Sequence, residues 1–158
     1  MEVRKATTDE IDALVQIWYD GWRDAHAALV PAELVRIRTV ENLQERLPEL
    51  LPETRVIGDV GNPLGFSVTK DDELYQLYVS RQARGTGAAQ KLIKEVEERL
   101  SSRGLKTAWL GCAIGNDRAA RFYEKSGWHL ARNYVSELPV PNGIFKLEVW
   151  RYEKDLTA

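Results

Sequence analysis

The chain has 158 residues, the length of one domain, with 44% hydrophobic and 29% charged residues in an ordinary globular balance. Its 24 acidic and 22 basic residues leave a formal charge of −2, which excludes global attraction to nucleic acid or anionic lipid, and no apolar run reaches the length of a membrane span. A lone cysteine, Cys112, excludes an internal disulfide framework, and the start Met1-Glu2-Val3-Arg4-Lys5 lacks a hydrophobic leader, so the chain reads as cytoplasmic. No linker, repeat or metal site is assigned, and residues 1–158 read as a single domain.

A short strand at Val3–Ala6 leads to Thr7 and Glu10, which have capping-box spacing ahead of a helix. Ile11, Leu14, Val15, Trp18 and Trp22 then recur at helical intervals. Pro31 marks a turn, and a second helix runs from about Val40 to Leu47, stopped by Pro48. Strands follow at Arg55–Val60, Leu64–Thr69 and Glu73–Val79, joined by short turns as an antiparallel meander. By alternation Glu73, Tyr75, Leu77 and Val79 share one face of the third.

The next helix carries Ala89, Leu92, Ile93, Val96 and Leu100 on one side and ends at Gly104. Thr107–Ala113 is a buried strand, Asn116 or Asp117 caps another helix closed by Gly127, and Trp128–Leu138 and Ile144–Tyr152 form a hairpin. The order βααβββαβαββ predicts an α/β (α+β) fold, a mixed, mostly antiparallel sheet flanked by helices. Exposed edges on the hairpin leave room for a homodimer.

The richest stretch is Arg81-Gln82-Ala83-Arg84-Gly85-Thr86-Gly87-Ala88-Ala89, between a strand and a helix. Two glycines let main-chain N–H groups approach a ligand, and the helix adds unpaired donors and the positive end of its dipole. Arg81 and Arg84 add charge, so the turn suits a diphosphate; a tight loop that binds nothing is the bland alternative. The stretch lacks the Gly-Lys-Ser/Thr of a triphosphate loop and the G-x-G-x-x-G plus acid of a dinucleotide fold.

Gln82-Ala83-Arg84-Gly85-Thr86-Gly87 resembles the Q/R-x-x-G-x-G/A signature of the GNAT acyltransferases, and Leu77-Tyr78-Val79 resembles the strand end before it. The block from Asn116 to Trp128 is similar to the family's N-x-x-A-x-x-x-Y-x-x-x-G-F/W segment. The resemblance implies acetyl-coenzyme A as acyl donor and an amine as acceptor. It assigns Leu77, Tyr78 and Val79 to the pantetheine arm, and Ala83, Arg84, Gly85, Thr86, Gly87 and Ala88 to the pyrophosphate. It gives Asn116 a pantetheine contact beside its capping role.

Acetyl transfer to an amine requires removal of a proton, stabilisation of an oxyanion and a proton for the leaving thiolate. The resemblance makes Tyr123 that acid, against a plain packing role beside Ala119 and Phe122. It places Glu73 at the offset of the catalytic glutamate of the histone-acetylating branch, against a solvated carboxylate after a turn. Where the branch acting on protein N-termini has a glutamate, this chain has Gly111. Trp18, Trp22 and His26 share a helical face. Trp18 reads as core, while Trp22 and His26 read equally as packing and as an acceptor wall; a charge on His26 would be favoured by the helix end. The function implied is N-acetyl transfer to a small-molecule amine or an exposed lysine within a ternary complex. A non-catalytic acyl-coenzyme A sensor of the same fold is the alternative.

Overall fold

The computed structural model describes residues 1–157. Seven strands, β1 (Val3–Lys5), β2 (Thr54–Ile57), β3 (Gly65–Lys70), β4 (Glu73–Val79), β5 (Thr107–Ala113), β6 (His129–Val140) and β7 (Gly143–Asp155), form one sheet. Their spatial order is β1-β2-β3-β4-β5-β7-β6. Every neighbouring pair is antiparallel except β4 and β5, which run parallel. The helices are α1 (Ile11–His26), α2 (Ala32–Ile37), α3 (Val40–Leu50), α4 (Ala88–Ser102) and α5 (Asp117–Lys125). The predicted fold class holds, and its element order gains one short helix, α2. Only Leu34 of α2 is buried, so its six residues carry no apolar period that a sequence reading could find.

Two cores sandwich the sheet. On the front, Leu14, Val15, Trp18 and Trp22 of α1 pack with Leu43 and Leu47 of α3 against Val56, Phe66 and Val68. Behind it, Ile93, Val96 and Leu100 of α4 and Ala120 of α5 cover Leu74, Ala108, Leu110, Cys112 and Tyr152. Burying side chains of this size contributes about 1.5–3 kcal/mol each. At Gly21, α1 lies so close to β4 that a β-carbon would stand 2.5 Å from the Tyr78 ring.

Local chemistry moves several boundaries. Glu10 does more than close the capping box, in which its carboxylate accepts from the Thr7 N–H at 3.1 Å. It is 2% exposed and takes two bonds from Arg4, at 2.8 and 2.7 Å, which with its other hydrogen bonds hold it down at about 2 despite burial. Pro48 does not stop α3, because it falls in the last turn on the exposed side and the helix reaches Leu50. The C-terminal hairpin is longer than expected: Val140 pairs with Gly143 around a two-residue turn, and Pro139 is accommodated because β6 is the edge strand.

The decisive irregularity is in β4. Val68 of β3 pairs with Gln76, but Thr69 pairs with Leu74, leaving Tyr75 as an extra, bulged residue. A bulge inverts the alternation, so the expected shared face is corrected. Tyr75 and Tyr78 pack on the front core, whereas Leu74 and Leu77 pack behind the sheet and Val79 joins them beside α4.

Candidate functional site

β4 and β5 hold together only at their starts, where Glu73 pairs with Trp109 and the Trp109 N–H donates to the Asp72 carbonyl at 3.2 Å. From Leu74 onward on one strand and Leu110 onward on the other, no rung joins them. The outer edges of both are occupied by β3 and β7, so the edges facing the gap are open. Unpaired main-chain groups of this kind need partners. A cavity of about 400 Å³ fills the gap, walled by β4, β5, the turn before α4 and one side of α5.

At the open end, Gly85 and Gly87 have φ of +77° and +87°, in the left-handed region, with no atom within 4 Å of a β-carbon built there. Gly87 is the residue before α4, whose first turn has no side-chain cap. The N–H groups of that turn and the helix dipole therefore face an uncluttered mouth. Ala83, Arg84, Gly85, Gly87 and Ala88 line the cavity. Thr86 does not: its hydroxyl donates to the Ala83 carbonyl and braces the turn instead. The arginines beside the turn are tied to α1, since Arg81 donates to Asp24 at 2.8 Å and Arg84 lies 3.6 Å from the same carboxylate.

Along the gap, Leu77, Tyr78 and Val79 form one wall. Asn116 and Tyr123 form the other, where the Asn116 side chain accepts from the Ala119 N–H at 3.3 Å and so caps α5 while facing the cavity. The Tyr123 ring packs among Phe122, Trp128 and Tyr152, at 5.4, 6.3 and 6.2 Å between centroids. Its hydroxyl has no hydrogen-bond partner among the described residues, and burial raises its pKa far above that of a free phenol. It stays protonated at any working pH. Cys112 also lines the wall, with its thiol pushed up to about 12 by burial, and it is no nucleophile there.

Glu73 sits at the closed end, just before the cavity wall begins at Leu74, and does not itself line the cavity. Burial pushes its carboxyl up to about 7, against the pull of Lys70 and Arg151. The acceptor-side pair divides. Trp22 is 8% exposed and packs in the front core, outside the cavity wall, whereas His26 lines it. The His26 Nδ1 lies 3.1 Å from the Trp22 carbonyl, which can only accept, so Nδ1 carries the proton and Nε2 is left as an acceptor. Burial lowers its pKa, so the charge that a helix end would favour is overruled by desolvation. Tyr75 and Gln76 at the bulge, and Arg118 on α5, line the cavity without having been singled out. The bulge leaves no mark in a single sequence, while Arg118 lies two residues after Asn116 in the second motif block.

Residues 14–128 match the model of the "Acetyltransferase (GNAT) family". The chain belongs to the GNAT acetyltransferase family. An uncharacterized N-acetyltransferase of Archaeoglobus fulgidus is 27% identical over 78% of this chain and 89% of its own. One of Mycobacterium tuberculosis is 39% identical over 66% of this chain and 67% of its own. The PaiA N-acetyltransferase of Thermoplasma acidophilum, solved in complex with coenzyme A, superposes with a TM-score of 0.72 at 16% identity, covering 98% of both chains. This GNAT chain is thus an acyltransferase, and among its described residues no helix is long and apolar enough to cross a membrane.

Proposed function

We propose that the chain binds acetyl-coenzyme A in the β4–β5 gap and passes its acetyl group to a primary amine of a small molecule or an exposed lysine, by direct attack in a ternary complex. The observation that carries this reading is the gap itself. Open strand edges suit the amides of a pantetheine arm, and they end in a glycine turn and an uncapped helix start suited to a diphosphate. The donor supplies a thioester, an acyl group already activated toward nitrogen.

The remaining work falls to this chain's side chains and main chain. Ala83 to Ala88 hold the diphosphate, and Leu77 to Val79 with Asn116 hold the arm. Bound in place, the reactants lose much of the entropic barrier to encounter. Glu73 removes the amine proton, directly or through one water. A carboxyl near 7 is matched to that task at neutral pH, where an ordinary one would be too weak a base. Main-chain N–H groups at the Tyr75 bulge stabilise negative charge on the thioester oxygen. Tyr123, protonated and free of other partners, gives the leaving sulfur its proton. His26 forms part of the acceptor wall, with Trp22 packed behind it at 5.3 Å between rings. Within this reading residues 1–158 are one cytoplasmic transferase domain, where Cys112 stays a thiol. The free edge of β6, with Leu130 and Val135 exposed, offers a place for a second copy.

The test is release of free thiol from acetyl-coenzyme A in the presence of polyamines, amino acids, aminoglycosides and peptides. Acceptor-dependent release with an acetylated product supports transfer. Saturable binding with no release from any amine would instead make the chain an acyl-coenzyme A sensor.

A further inference from the structure

Arg38, just after α2, is 3% exposed, yet its contacts are neutral: it donates to the Asn42 side-chain oxygen at 3.0 Å and to the Pro139 carbonyl at 2.8 Å. Arg46 on α3 donates to the Tyr75 hydroxyl at 2.7 Å and lies over the Trp18 ring, 4.9 Å from its centroid. The ammonium of Lys70 lies 5.3 Å from the Tyr75 ring centroid. None of the ion pairs among the described residues includes Arg38 or Arg46. The acidic residues of α3, Glu41, Glu45 and Glu49, are exposed and turned to solvent. The Trp18 indole N–H, beneath Arg46, also has no acceptor.

The Arg46 charge lies close enough to disfavour that of the buried Arg38, and two such guanidinium groups with a buried donor beside them are costly to keep without an anion. Burial and the Arg46 charge bring Arg38 down to about 10, so it remains charged at neutral pH. The cluster's focus, Tyr75, is a wall of the cavity at the β4 bulge. Glu73, two residues earlier on β4, is the carboxylate next along the strand, close enough to Lys70 to feel its charge, and Arg38 anchors the β6–β7 hairpin over the same front face.

Resting on the proposed amine acetylation, we propose that the acceptor is a primary amine bearing its own carboxylate, of amino-acid character, whose carboxylate is bound by Arg46 with Arg38 behind it. The amine then faces Glu73 and the carboxylate faces Arg46, which fixes the acceptor's direction. Polycationic amines bind poorly at such a site, because they would place like charge against two arginines and a lysine.

The test is calorimetric titration, with and without coenzyme A, using N-acetylglycine, N-acetylphenylalanine and N-acetylglutamate and the matching carboxamides. Wild type is expected to bind at least one carboxylate about tenfold or more tighter than its carboxamide. Arg46→Gln should abolish that difference and Arg46→Lys should keep part of it, whereas mere loss of packing would weaken acid and amide alike. No carboxylate preference in wild type, or one that survives Arg46→Gln, overturns the inference. Coenzyme A binding, read in the same experiment, reports separately on the donor site and on the proposed transfer.

Discussion

At the open end of the β4–β5 gap the groups available to a ligand are main chain: two left-handed glycines, an uncapped helix start and strand edges without partners. At the closed end they are side chains from distant parts of the sequence: Glu73, Tyr75 and Tyr123, with Arg38 and Arg46 behind. The contrast separates two tasks. A diphosphate can be gripped by any backbone that leaves room for it, so this end demands few side-chain identities beyond glycine. Proton transfer and acceptor choice depend on the burial and pairing of individual groups.

Side-chain chemistry at the closed end can be removed without touching the cradle. Tyr123→Phe should lower kcat on the order of 100-fold while leaving the acetyl-coenzyme A Kd within about twofold. Steady-state kinetics beside calorimetry check this, and unchanged turnover would take Tyr123 out of the acid role. Gly87→Asp should do the converse. A carboxylate facing the diphosphate should weaken donor binding about 30-fold, while a β-carbon at φ +87° should cost on the order of 1 kcal/mol of stability although the position is unobstructed. Tight donor binding by that variant would erase the distinction between the two ends.

The smallest effect is the most specific. Glu73→Gln should lower kcat/KM about tenfold at neutral pH and abolish the acid limb, centred near 7, of the wild-type profile. Stability gives an independent reading. The folded carboxyl is raised from 4.5 to about 7, so folding favours its protonated form. That contribution is fully present below about 4.5 and lost as pH rises through 7. Denaturation should therefore show the two proteins alike at pH 4 and the Gln variant the more stable above 7.

How far the sequence could be read follows the same division. The glycine turn and the block from Asn116 to Trp128 are contiguous, and the structure brings nearly all their assigned residues to one cavity. The closed end was only partly legible. Glu73 stands out by offset, but the Tyr75 bulge depends on pairing with β3, and strict alternation put Leu77 and Val79 on the wrong face. His26 lies on a helix end that favours charge, and only the packed neighbours reveal that burial wins. Nothing in the sequence marks Arg38, whose carbonyl partner belongs to Pro139, 101 residues away. Helix α2 escaped for a simpler reason, since one buried leucine makes no pattern.

The most direct measurement compares acetyl-coenzyme A with S-acetylpantetheine, which keeps the thioester and the arm but lacks the diphosphate, by calorimetry on the wild-type protein. The proposed grip of main-chain donors from Ala83 to Ala88 on the diphosphate predicts saturable binding of the full donor and a loss of about 100-fold or more for the truncated one. Equal affinity for the two, or no uptake of either, would contradict the account.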